Sequence, residues 1–219
     1  MRPEPDCIAL IADLVRSRRY AAATRRDIQE RLAETLQRLN HAYKPAILSQ
    51  FLITTGDEFQ GLLKDGSVIP DIIWELENDL GAVSFRLGVG CGRLDTELRD
   101  SAIGMDGPVW HRAREGVHSA RILRRFGGVF VGFGELEDPV LNGLSRLLRH
   151  IRERFTTKQR DIANLLRSDS RQTEIAHQLH VSRQVISKQV KTTGWDAYEE
   201  GEAAWRLMLQ RFNYAEHWS

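Results

Sequence analysis

The run Gln172-Thr173-Glu174-Ile175-Ala176-His177-Gln178-Leu179-His180-Val181-Ser182-Arg183-Gln184-Val185-Ile186-Ser187-Lys188 leaves little choice of local fold. Apolar residues at helical spacing stop at a short break and restart just after Ser182, which predicts two helices joined by a tight turn. Ile175, Leu179, Val181 and Ile186 are expected to form the small core between them, with Ala176 where the helices approach closely. Ser182 is a good N-cap, because its hydroxyl can accept from an otherwise unsatisfied N–H of the second helix. The open face of that helix presents Ser182, Arg183, Gln184, Ser187, Lys188 and Lys191, side chains suited to base edges and phosphates. His180 stands in the turn, where glycine is usual, and His tolerates left-handed backbone better than most residues. Upstream, Thr156 is expected to cap another helix holding Ile162, Leu165 and Leu166, with Ser168-Asp169-Ser170 turning the chain.

With 219 residues, the chain accommodates a domain of about 150 residues and a small satellite. Its 42% hydrophobic and 28% charged residues describe a globular protein. No window reaches the roughly 18 apolar residues of a membrane helix, so no membrane partner is expected. Met1 to Asp6 leads directly into an apolar run ending at Asp13, without the cleavage signature of a secretory leader. Cys7 and Cys91 are too few for a disulfide framework, and no CxxC or HxxxH spacing suggests zinc; a reducing cytoplasm is expected. The formal net charge of +1 hides an asymmetry. From Ser145 to Thr193 there are eleven Lys/Arg against four Asp/Glu, and acidic residues cluster after Thr193.

Along the rest of the chain, Cys7 to Ala12 reads as a strand and Ala21 to Ala42 as a helix with Ile28, Leu32, Leu36 and Leu39 inside. Ile47 to Leu63 reads as a hairpin turning at Thr55-Gly56-Asp57-Glu58. Pro70 opens a helix striped with Ile72, Ile73, Leu76 and Leu80. Phe85 to Cys91 is a strand with one apolar face and one face of Arg86, Gly88 and Gly90, which leaves room for something. A basic helix from about Val109 to Arg125 and a strand from Gly128 to Phe133 follow. Asp138-Pro139 starts a long helix to about Arg154, with Leu141, Leu144, Leu147, Leu148 and Ile151 as its buried stripe. The expected division is 1–136, a linking helix over 137–155, and 156–219. The terminal helix, with Tyr198, Trp205 and Met208, is too aromatic to stay exposed and is expected either to pack on its own domain or to pair two chains as a homodimer.

Three segments carry chemical information: Ala9-Leu10-Ile11-Ala12-Asp13, Thr55-Gly56-Asp57-Glu58-Phe59 and Phe85-Arg86-Leu87-Gly88-Val89-Gly90. A carboxylate ending the first strand and another at a neighbouring hairpin tip can lie close together, and paired carboxylates bind Mg²⁺. Taken singly each has a plainer reading: a hairpin turn wants Gly and Asp, Asp13 can cap a helix, and a glycine face can admit a closely packed helix. In order and spacing, however, the segments resemble class III nucleotidyl cyclases and GGDEF diguanylate cyclases over residues 7 to 133, continued by Asp106-Gly107-Pro108-Val109, Ala113 and Arg114. The C-terminal run, in the form QxEIAxxLxVSxxxISK, resembles the helix-turn-helix of bacterial regulators and sigma factors. As a whole the chain resembles the SatD family.

These resemblances imply an α+β fold, a ferredoxin-like cyclase or GGDEF-type palm followed by an all-α helix-turn-helix domain. They imply Asp13, Asp57 and Glu58 as ligands of Mg²⁺ or Mn²⁺. A phosphate cradle along Leu14, Val15, Arg16 and Ser17, with Gly56 and Arg114 beside the nucleotide, is implied too. Thr55 stands where diguanylate cyclases have their first glycine, Trp110 where class III cyclases place an Asn that orients the ribose, and no RxxD precedes the turn. Two readings follow: a regulator whose palm senses a nucleotide or second messenger and whose second domain binds DNA, and an active metal-dependent nucleotidyl cyclase or nucleotidyltransferase regulated through its helix-turn-helix.

Overall fold

Cys7–Leu14 (β1) is buried along almost its whole length, as a strand covered on both faces must be. The computed structural model describes residues 6–15, 20–124, 127–168 and 170–212. In it β1 is the middle strand of a five-stranded sheet ordered β2-β3-β1-β4-β5. The chain runs β1, α1 (Ala22–Ala42), β2 (Ile47–Thr55), β3 (Glu58–Leu63), α2 (Ile69–Leu80), β4 (Phe85–Gly92), α3 (Pro108–Ile122) and β5 (Gly127–Val131). The first six of these are the β-α-β-β-α-β order of a ferredoxin-like fold, with β1 antiparallel to β3 and to β4. α3 then returns the chain so that β5 pairs parallel to β4.

The pleat of β1 divides its side chains between two cores. Cys7, Ala9 and Ile11 pack with Val109, Trp110, Ala113 and Val117 of α3, while Ile8, Leu10, Ala12 and Leu14 point to the opposite face. The face of Gly88 and Gly90 is filled by α3 itself. A Cβ on Gly88 would lie 1.9 Å from the Ala113 carbonyl oxygen, and one on Gly90 would lie 2.3 Å from that of Val109. The room predicted beside this strand is therefore taken by a helix backbone, the plainer of the two readings.

α4 (Glu137–Arg152), α5 (Thr157–Arg167), α6 (Gln172–Gln178), α7 (Arg183–Thr193) and α8 (Trp195–Gln210) complete the chain. Contacts divide it into two units: one holds the described residues up to Ser145 together with those from Trp205 onward, and the other spans Arg146–Ala204. The last turns of α8 thus belong with the sheet, whereas the sequence grouped all of 156–219. Arg206 explains this, with a two-pronged pair to Asp71 at 2.7 and 3.0 Å, and Trp205 stands edge-on to Phe130 at 5.5 Å. Within the other unit Trp195 stacks on Tyr198 at 5.2 Å. Trp195, Tyr198 and Trp205 are all buried, the first two in the helical unit and Trp205 with the sheet, so the helix does not pack on its expected domain alone. The stripe on α4 also differs: Leu141 and Leu148 are buried, but Leu147 is 64% exposed.

Candidate functional sites

In the helical unit, local rules place the side chains. The Thr156 hydroxyl accepts from Gln159 N–H while the Gln159 side chain accepts from Thr156 N–H, a capping box that starts α5. His180 has φ +52°, the left-handed conformation expected at that turn, and Ser182 caps α7 by accepting from Val185 N–H at 3.4 Å. Ile175, Ala176 and Ile186 are buried as expected. Leu179 and Val181 are not: they remain 36% and 39% exposed, in the link 179–182 between α6 and α7, where no described element covers them fully. On α7, Arg183, Gln184, Lys188 and Lys191 are exposed and line one shallow groove with Ser187 and Thr192. None of the three cations there is in an ion pair with a described carboxylate.

The same unit holds a buried polar network. Arg152, Tyr198 and Glu202 are each buried. Arg152 donates to the Tyr198 hydroxyl at 3.0 Å, that hydroxyl donates to Glu202 at 2.5 Å, and Arg167 donates to Glu202 Oε1 at 2.6 Å. Burial pushes the Tyr198 hydroxyl well above its usual range, so it remains a donor. Sequence reasoning missed this network. Its signal was the run of arginines before α5 facing an acidic α8.

In the sheet unit the predicted carboxylates do not assemble into a ligand set. Asp13 and Glu58 are register partners across β1 and β3, and Arg86 is the partner of Asp13 across β1 and β4. Asp13 Oδ2 accepts from Arg86 at 3.3 Å and from Arg121, on the last turn of α3, at 3.0 Å. Its Oδ1 and the Nε of Arg86 are buried without a hydrogen-bond partner. Glu58 accepts from the Thr54 hydroxyl at 3.3 Å. Asp57 instead lines a small pocket with Leu14, Tyr20, Gln29 and Gly56. Among the described residues no three His, Cys, Asp or Glu side chains come together as a metal site.

The donor set therefore does not fit a divalent cation. Such an ion needs several oxygen ligands free of competing charge, and here two guanidinia already hold the one central carboxylate. The predicted phosphate cradle is also altered. Leu14 N–H donates to the Asp57 carbonyl at 3.1 Å and Val15 N–H to that of Ser84 at 2.8 Å, so neither amide is open to a phosphate. Arg16 and Ser17 lie outside the described residues. Gly56 has φ +61° at the hairpin tip, and its carbonyl accepts from Gln29 at 2.9 Å. Arg114 is exposed on α3, about two helical turns before Arg121, and forms no ion pair with a described carboxylate. Two arginines of the basic helix have specific partners: Arg121 donates to Asp13, and Arg112 donates to the Cys91 carbonyl at 2.6 Å. Trp110 is 4% exposed and belongs to the core under α3, where its indole N–H finds no partner. Both cysteines are buried, and burial pushes the Cys7 thiol far up.

The model of the SatD family matches residues 7–207. The chain belongs to the SatD family. No curated protein matches it. Among solved structures it is similar to two of a bacterial light-regulated adenylyl cyclase. One is 18% identical with a TM-score of 0.41, covering 54% of this chain and 41% of that one; the other is 19% identical with a TM-score of 0.41, covering 54% and 72%. A third is the catalytic core of a rhodopsin-guanylyl cyclase in complex with ATPαS, at 16% identity and a TM-score of 0.34, covering 52% and 74%. The match thus spans less than half of the first cyclase's length. Among the described residues no helix is long and apolar enough to cross a membrane.

Proposed function

We propose that this SatD-family protein is a cytoplasmic DNA-binding regulator: the ferredoxin-like unit takes up a nucleotide or related anionic messenger, and α6–α7 act as a helix-turn-helix on DNA. The observation that carries the reading is the face of α7. Arg183, Lys188 and Lys191 stand exposed and without carboxylate partners among the described residues, interleaved with Gln184 and Ser187. Cations elsewhere in the same unit, such as Arg167, are neutralised internally. Unpaired cations among amides and hydroxyls suit a polyanion whose base edges can also accept hydrogen bonds. Two copies on adjacent half-sites would fit such a helix, although the aromatic helix that suggested a homodimer packs within its own chain.

The metal-dependent cyclase reading has less behind it, since Asp13 is held by arginines and the Leu14 and Val15 amides are hydrogen-bonded. A mobility-shift titration of the full chain with duplex DNA at low salt tests the proposal. Binding should weaken as salt rises and weaken further in Arg183→Ala and Lys188→Ala. Wild-type protein that fails to shift any duplex, or variants that bind as well as wild type, would overturn it.

A further inference from the structure

We infer that Arg86 and Arg121 are the phosphate-gripping pair of the sheet unit, standing where a divalent cation was expected, with Asp13 as the internal counter-ion that an incoming phosphate displaces. This rests on the reading that the unit binds a phosphate-bearing ligand, and goes beyond it by assigning the residues and making the binding independent of metal.

The hydrogen-bond inventory of the cluster is incomplete in a way that points to a ligand. Two guanidinia share a single carboxylate oxygen, Oδ2 of Asp13, at 3.3 and 3.0 Å. Oδ1 of the same group accepts nothing, and the Arg86 Nε–H has no acceptor although it is buried. Both guanidinia thus lean on one carboxylate oxygen. Glu58, opposite Asp13 across the sheet, bonds to Thr54 and forms no ion pair with a described residue. A cluster in which two guanidinia share one oxygen and a buried guanidinium N–H is unmatched is poised for an anion with more acceptor oxygens than one carboxylate offers.

Access and rigidity agree. The Arg121 side chain is 61% exposed, whereas those of Arg86 and Asp13 are 19% and 15% exposed, so the cluster opens to solvent on the Arg121 side. Arg86 is held by the sheet, opposite Asp13 in register. The pair accordingly has one arm set in the sheet and one arm open to solvent, and planar guanidinia match phosphate oxygens two at a time. A divalent cation entering the same place would have to take Asp13 from both arginines and then sit beside their charges. A phosphate instead replaces the weaker acceptor.

Asp13→Asn separates the two possibilities because they predict opposite signs. Calorimetric titration of the full chain with ATP, GTP and inorganic triphosphate, each in EDTA and in Mg²⁺, is the test. The expected result is binding of one or more of these probes that EDTA changes by less than about twofold, that Arg121→Ala weakens by at least about tenfold, and that Asp13→Asn strengthens by removing the competing carboxylate. Preference for a nucleoside triphosphate over inorganic triphosphate supports a nucleotide as the source of the phosphate; equal affinity supports the assignment with a polyphosphate as the source. Binding that needs Mg²⁺ and disappears in Asp13→Asn overturns the inference and leaves the nucleotide-sensing reading standing. No binding of any probe under either condition overturns both. If Asp13→Asn does not fold, Arg121→Ala and Arg121→Lys decide alone: Arg121 lies mostly in solvent, and unchanged affinity in both variants overturns the assignment.

Discussion

Two carboxylates, one in each unit, are each approached by arginines, and they are finished differently. Glu202 is buried, with both oxygens engaged: Arg167 reaches both, and Tyr198, itself held by Arg152, donates to Oε2. Asp13 uses only Oδ2 for its two arginines, and its Oδ1 is bare. A network that satisfies every member rigidifies a fold, whereas one with unmatched buried atoms retains capacity for something else. The difference separates a structural ion cluster from a binding one without reference to any relative.

The largest consequence should appear at Glu202. Glu202→Ala leaves buried guanidinia without their counter-charge and is expected to cost about 3–5 kcal/mol of stability, read by urea denaturation. Asp13→Asn keeps the shape of the side chain and leaves Arg121 largely in solvent, so it should cost less than Glu202→Ala in the same assay even though the mostly buried Arg86 loses its counter-charge. Equal losses would erase the distinction between the two clusters.

Next in size is the contact on which the Asp13 cluster depends. Gly88→Ala drives a methyl group against the Ala113 carbonyl, so α3 must lift from the sheet at an expected cost of about 1–3 kcal/mol or more. The same displacement carries Arg121 away from Asp13, so triphosphate affinity should fall together with the thermal midpoint. A well-folded Gly88→Ala protein with wild-type affinity would show that Arg121 does not act through its position on α3.

On α7 the arginine is bare, and the comparison predicts loss of binding without loss of stability. Arg183→Ala should weaken DNA binding by about 1–3 kcal/mol while leaving the denaturation midpoint in place. Arg121→Ala should leave DNA affinity in the absence of ligand unchanged. A drop in the melting temperature of Arg183→Ala would mean that the side chain has an internal role. The smallest effect is expected at the turn. His180→Gly removes the Cβ from a left-handed residue at φ +52° and should stabilise the helical unit by about 0.5–1 kcal/mol, net of the greater freedom of the unfolded chain. A β-branched residue there should do the opposite.

What could be read from the chain followed the range of the forces involved. The Thr156 and Ser182 caps, the left-handed His180, the Gly56 turn and the stripes of α1 and α2 are set within one or two turns of sequence, so spacing alone located them. Leu179 and Val181 were misplaced because period describes which face a residue occupies and is silent on whether another element covers that face. The open cationic face of α7 was legible for the opposite reason: no described carboxylate pairs with its arginine and lysines.

The Asp13 cluster was not legible. Arg121 is separated from Asp13 by 108 residues, and only the packing of α3 on Gly88 and Gly90, together with the β1–β4 register, brings the guanidinium to that carboxylate. Sequence by itself determined the element order, the local caps and turns and the uneven distribution of charge, because these depend on backbone preference and on neighbours along the chain. Tertiary structure decided which charges neutralise one another: that the guanidinia of Arg86 and Arg121 hold Asp13 although Glu58 stands opposite it in register, and that the end of α8 joins the sheet through Asp71. Ion pairing falls off over a few ångströms, and such distances are set by how strands register and helices pack, which no spacing along the chain records.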